Sequence, residues 1–237
     1  MGNSQITSRL KTSIGTGVLN VSNEKLTQVP EGVHDAKEHI RCIDLSHNRI
    51  KIITPLFQLT NLKALYLQNN RIEILHGEWT GFIKLETLSL ANNRIKKIDN
   101  VKFPFALKHL DLSNNKIKSI PSDFFDNCLN LEVLKLGQNF ITDIPKGISN
   151  TTIVELHLSN NKLRILPEDI YQCGTLRILH VEHNMLAITS ISTNLLKHSN
   201  IVSISANGNL FKISEMESHP DYEYYLQRVG AAKRKMY

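Results

Sequence analysis

Cysteine is scarce in this chain, and so are aromatic residues. Its 237 residues include three cysteines, one tryptophan and 6% aromatics in all. Cys42, Cys128 and Cys173 are odd in number and widely spaced, which excludes a disulfide framework and a C-x-x-C metal pattern and fits a reducing compartment. No apolar run approaches the roughly 18–20 residues of a membrane span. The opening segment, MGNSQITSRLKTSIGTG, lacks the apolar core of a secretory signal. The chain therefore reads as intracellular, and the sequons at Asn20-Val21-Ser22 and Asn150-Thr151-Thr152 read as chance matches. The phosphate-cradling G-x-x-x-x-G-K-[ST] and G-x-G-x-x-G, the nucleophile elbow G-x-S-x-G and the zinc motif H-E-x-x-H are also absent. The expectation is a non-enzyme with no cofactor.

What is present begins with charge. The chain carries 28 Lys and Arg against 22 Asp and Glu, a formal net charge of +6. Residues 1–16 hold Arg9 and Lys11 and no acid, and residues 224–237 hold Arg228, Lys233, Arg234 and Lys235 and no acid. Between them 22 basic residues face 22 acidic ones. The summed body is neutral, so a nucleic-acid footprint is not expected and the excess belongs to the two ends.

The dominant feature is an internal repeat. Leu62-x-x-Leu65-x-Leu67-x-x-Asn70-x-Ile72 returns as Leu85/Leu88/Leu90/Asn93/Ile95 and as Leu131/Leu134/Leu136/Asn139/Ile141. The anchor position falls at residues 24, 48, 70, 93, 115, 139, 161, 184 and 209, at intervals of 22 to 25, with Glu24 in place of Asn in the degenerate first copy. This pattern resembles the leucine-rich repeat family over residues 17–214. The resemblance implies an α/β solenoid: a curved horseshoe of about nine repeats whose short strands form a parallel sheet on the concave side. One such repeat cannot bury its apolar face alone, so stacking must supply the core. Proline after the last aliphatic position, as in Ile120-Pro121, Ile144-Pro145 and Leu166-Pro167, stops strand pairing and opens the convex segment. Trp79, Phe124 and Phe125 fall in convex segments and read as core.

Three regions follow: an acylation and capping segment over 1–16, repeats over 17–214, and a capping helix with a basic tail over 215–237. Ile6, Leu10 and Ile14 recur every four residues and predict a short helix over 4–14 whose apolar side closes the first repeat. Pro220-Asp221-Tyr222 predicts a second helix start, with Tyr225, Leu226 and Val229 on one face.

The exposed strand position between the second and third aliphatics forms a column. It reads Asp44, Tyr66, Ser89, Asp111, Lys135, His157, His180 and Ser205. Tyr66, Asp111, Lys135, His157 and His180 present the most varied chemistry and are the candidate partner-binding residues. His157, His180 and Glu182, with His183 nearby, also make a donor set adequate for Zn²⁺; a metal-dependent hydrolase is the alternative function, although no metal is expected. The position after each anchor reads Arg49, Arg71, Arg94 and Lys116 in succession, a basic rim suited to an acidic partner or anionic lipid, or simply to solubility.

Met1-Gly2-Asn3-Ser4 matches the start of an N-myristoylation signal, with Gly2 as acceptor, although Ile6 stands where Ser or Thr is usual. One acyl chain anchors weakly, and the basic ends supply a second attraction to anionic lipid. The two ends also resemble those of small, myristoylated, membrane-associated members of the repeat family: MGNS, then Lys11-Thr12 and Gly17, and finally Ala206–Phe211 before a Tyr-rich helix. That resemblance implies a small, membrane-associated protein without catalysis and supplies no partner; the expectation is a monomeric protein-binding module or scaffold, lipid-anchored at a cytoplasmic membrane face, with an unidentified protein on its concave side.

Overall fold

A computed structural model describes residues 3–75, 79–99 and 101–234. The chain divides into two compact units, residues 1–116 and 117–237.

The first unit opens with helix α1 (Asn3–Thr16) and continues through strands β1 (Val18–Asn20), β2 (Cys42–Asp44), β3 (Ala64–Tyr66), β4 (Thr87–Ser89) and β5 (His109–Asp111). Neighbouring strands run parallel and in constant register, Leu19 beside Ile43, Ile43 beside Leu65, Leu65 beside Leu88, and Leu88 beside Leu110. The second unit holds β6 (Val133–Lys135), β7 (Glu155–His157), β8 (Ile178–His180) and β9 (Ser203–Ser205), then α2 (Ile213–Glu217) and α3 (Tyr222–Arg234). Its register continues the rule, Leu134 beside Leu156, Leu156 beside Leu179, and Leu179 beside Ile204. The fold class is the leucine-rich repeat solenoid.

Strands of three residues cannot stand alone; the buried ladder between repeats holds them. The middle residue of each strand points inward, and Leu19, Ile43, Leu65, Leu134, Leu156 and Leu179 have no exposed surface. Each such side chain contributes roughly 1.5–3 kcal/mol through burial. The anchor asparagines bind one repeat to the next. Asn93 Oδ1 accepts the Ile72 amide at 3.0 Å, while its Nδ2 donates to Leu67 O at 2.9 Å and Leu90 O at 3.0 Å. In the second unit Asn161 repeats the arrangement with the Ile141 amide, Leu136 O and Leu158 O. Asparagine alone offers an acceptor and two donors on one short, planar group, which is why it recurs here.

The residue before each anchor adopts the left-handed conformation: Asn69 (φ 59°), Asn92 (φ 55°) and Asn160 (φ 59°), but also His47 (φ 56°), Gln138 (φ 56°) and His183 (φ 52°). The Asn-Asn pairs of the sequence carry this requirement, since Asn tolerates that region better than most residues. Gly208 fills the position in the last repeat (φ 73°), where a Cβ would collide with the His183 ring.

Both caps form, and in each one expected residue is exposed and an unexpected one takes part. On α1, Ser13 is the fully buried residue and donates to Leu10 O, while Ile14 is 45% exposed. The packed face runs through Ile6, Leu10 and Ser13 because helical spacing alternates steps of four and three. Arg9 pairs with Glu24 at 2.7 Å and donates to Asn20 O, which ties α1 to the edge strand β1. On α3, Tyr225 is buried and its hydroxyl accepts the Ile204 amide at 3.1 Å, closing the β9 edge. Leu226 is 45% exposed and lies off that face. Arg228 lies on it instead and donates to Ile201 O and Lys197 O. Two of the terminal cations, Arg9 and Arg228, are therefore structural, not free charge. The expected boundary at residue 214/215 falls inside α2.

Trp79 and Phe125 are buried in convex segments, as expected. Trp79 packs against Phe57 and Phe82 with ring centroids 5.4 and 5.6 Å away. Phe124 meets Phe125 edge to face at 5.4 Å. All three cysteines are free thiols; burial pushes Cys128 up to about 12. Among the described residues no helix is long and apolar enough to cross a membrane.

Candidate functional site

The strand register lines up the candidate column within each unit. In the first unit Asp44, Tyr66, Ser89 and Asp111 are successive partners, so Tyr66 and Asp111 share one column with Ser89 between them. In the second unit Lys135, His157, His180 and Ser205 are successive partners. Strands sit about 4.8 Å apart, close enough for neighbouring side chains to meet.

The acids of the first column are already engaged. Asp111 Oδ1 accepts the Ser113 amide at 2.9 Å and its hydroxyl at 2.6 Å, and Asp44 Oδ1 accepts the Ser46 amide at 2.9 Å. Both aspartates stabilise the turn that follows their strand. Tyr66 is half-buried.

In the second column the imidazoles of His157 and His180 stack, with centroids 4.5 Å apart and planes 18° apart. Each ring turns a nitrogen to the glutamate two residues away on its own chain segment. His157 Nε2 lies 3.4 Å from Glu155 and His180 Nδ1 lies 3.3 Å from Glu182. Glu182 also accepts the Ser159 hydroxyl. Burial presses His157 below its ordinary value, and the positive neighbours His180 and Lys135 add to this, against the hydrogen bond to Glu155. Burial pushes Glu182 up, but hydrogen bonds from Ser159, its own backbone amide and His180 together hold it below the ordinary carboxylate value. Stacked rings send their nitrogens to separate carboxylates instead of converging. Among the described residues no group of three or more His, Cys, Asp or Glu is placed to hold a metal ion. Glu155 and Ser159, which orient the pair, were not singled out from sequence. The signal was available, because residues i and i+2 of a strand share a face.

The basic rim is regular. The amides of Arg49, Arg71, Arg94 and Lys116 donate in turn to Leu26 O, Ile50 O, Ile72 O and Ile95 O, which fixes one cation on each successive rung of the first unit. Glu73 lies within the row, 3.1 Å from Lys96. The hydrogen bond and charge of Lys96, helped by Arg94 and Lys51, hold Glu73 below the ordinary carboxylate value. The same position in the second unit is Phe140, Lys162, Met185 and Leu210. There Phe140, Met185 and Leu210 are 44%, 40% and 69% exposed, and the Lys162 ammonium lies 5.2 Å from the Phe140 ring centre. Gly2, the expected lipid acceptor, and Lys235 lie outside the described residues.

The neutral body noted from sequence conceals a division. Residues 17–116 hold fourteen Lys and Arg against ten Asp and Glu, while residues 117–223 hold eight against twelve. The repeats are thus +4 in the first unit and balanced in the second, where the offsetting acids Glu215, Glu217, Asp221 and Glu223 follow the last repeat. The net excess lies in the two ends, and a local excess of positive charge lies in the repeats of the first unit.

Family models described as leucine-rich repeats match residues 38–79, 105–151 and 152–173. Pig (Sus scrofa) fibromodulin is 30% identical over 107 residues, an alignment covering 44% of this chain and 70% of fibromodulin. The chain belongs to the leucine-rich repeat family. Human oligodendrocyte-myelin glycoprotein is 40% identical over 80 residues, covering 32% of this chain and 18% of its own length; this chain thus aligns with about a fifth of that relative. Internalin C2 of Listeria monocytogenes matches 85% of this chain and 92% of its own, with a TM-score of 0.73 and 21% identity, a likeness of fold alone. Leucine-rich repeats form protein-interaction modules, and this chain has that architecture.

Proposed function

We propose that this protein is a non-catalytic interaction scaffold that holds a protein partner on the exposed strand columns, while a myristoyl group on Gly2 tethers it to a cytoplasmic membrane face. The observation that carries the reading is the fixed register of the columns. Tyr66 in the first unit and Lys135, His157 and His180 in the second stand on rigid strands, presenting aromatic, cationic and imidazole chemistry without paying for loop ordering. Tyrosine suits such surfaces because it combines contact area with a hydrogen-bonding tip. The chain acts as a monomer in this reading.

Site-specific photocrosslinking tests the columns. A photoreactive phenylalanine analogue in place of Tyr66 or His180 captures a discrete partner band, and the same analogue at convex Lys146 does not. Equal capture from all three positions removes the assignment. Gly2→Ala tests the tether separately: the variant leaves the membrane fraction for the soluble one, and retention at the parent level refutes acylation as the anchor. Sedimentation equilibrium at the mass of one chain supports the monomer, and a dimer mass refutes it.

A further inference from the structure

The basic rim of the first unit has chemistry that the strand columns do not use. Its cations stand on consecutive rungs, held by backbone hydrogen bonds that do not depend on the side chains. Adjacent rungs are about 4.8 Å apart, so the row from Arg49 to Lys116 runs about 15 Å. Three of the four are arginines, whose planar guanidinium pairs two-pronged with a carboxylate. Three residues after Arg49 and Arg71, Ile52 and Ile74 are each 61% exposed, and Ile74 forms a parallel bridge with Lys97 on the next repeat. The row of Ile52 and Ile74 thus continues with a cation, Lys97, on the third rung.

We propose that this rim is a second docking surface, taking an extended acidic polypeptide segment whose carboxylates face the arginine row and whose alternate aliphatic side chains cover Ile52 and Ile74. An extended strand rises about 3.3 Å per residue and sends alternate side chains to opposite faces. Four to five residues therefore span the row, with acids on one side and aliphatics on the other. A narrow row matches a single chain better than a flat bilayer does. The ionised Glu73 inside the row also disfavours a uniformly anionic surface, while a peptide can leave that rung unpaired. Charge complementarity gives the encounter its rate and register. The proposal uses neither the strand columns nor the lipid, so it stands or falls independently of the scaffold reading.

The test uses unacylated full-length protein and a fluorescein-labelled (Glu-Val)5 peptide, followed by fluorescence anisotropy. Arg49→Glu/Arg71→Glu/Arg94→Glu weakens binding at least tenfold. The control Lys37→Glu/Lys63→Glu/Lys84→Glu, with the same charge change on other exposed positions of this unit, changes it less than twofold. Arg49→Gln/Arg71→Gln/Arg94→Gln guards against misfolding and gives an intermediate loss. Equal weakening by the two Glu triples overturns the proposal, because binding then follows net charge alone. Tighter association of the three arginines with vesicles containing 30% phosphatidylserine, or with single-stranded RNA, than with the peptide also overturns it.

Discussion

The two units share one backbone plan and differ in what they place on it. At the position after the anchor, the first unit shows Arg49, Arg71, Arg94 and Lys116, and the second shows Phe140, Lys162, Met185 and Leu210. The anchor beside it is asparagine on every rung from residue 48 to residue 209, with the same hydrogen-bond partners in both units. Buried positions are dictated by unsatisfiable backbone groups, and exposed ones are free to diverge. The comparison also explains why a body of zero net charge is not featureless: the repeats of the first unit carry a positive excess, and the acids that offset it lie beyond the last repeat.

The largest effect that bears on this comparison is expected at the anchors. Asn93→Ala and Asn161→Ala each strand several buried backbone groups and cost about 3 kcal/mol or more. Urea denaturation should find the two losses equal, and a twofold difference would break the equivalence of the units. Next come the caps. Arg9→Ala leaves a Glu24 side chain that is 6% exposed without its ion pair, a loss of about 2 kcal/mol after discounting for the 40% exposure of Arg9. Adding Glu24→Asn to that variant should recover most of it. Tyr225→Phe deprives the Ile204 amide of its acceptor and costs about 1 kcal/mol. If the two caps rank in the opposite order, the ion pair is not what holds α1.

The stacked histidines separate the strand columns of the two units by pH. Folding holds His157 below its ordinary value of 6.5, so the folded chain binds fewer protons than the unfolded one just below that pH. Stability contributed by the neutral ring is present above pH 6.5 and is lost as the pH falls toward the folded value. Glu155→Gln removes the partner that raises His157 and should lower its NMR titration midpoint further. An upward shift would contradict the assigned causes. The smallest effects belong to the rims: Arg71→Ser and Phe140→Ser should each change stability by less than about 0.5 kcal/mol, and a larger loss from either would show that the rim does structural work.

Much of this was legible in the residues. The 22-to-25-residue interval, the aliphatic frame and Asn48 through Asn209 specified strands, anchors and core, because each is an answer to burial that only a few side chains can give. The columns were legible for the same reason, since period-2 alternation assigns faces. The packed faces of the caps were not. Ile14 and Leu226 look like core by residue type, yet Ser13 and Arg228 occupy those faces, because a helix docking on a strand edge must satisfy polar backbone as well as cover apolar surface. α2 is too short for its periodicity to stand out.

The sequence by itself determined the repeat, its register and the free thiols, since these follow from composition and spacing. Only the tertiary structure decided that Arg9 and Arg228 are spent on the caps and that His157 and His180 stack with separate glutamates. Those outcomes depend on which side chains meet across segments distant in the chain, and Coulomb and hydrogen-bond energies act over a few ångströms of space, not along the chain.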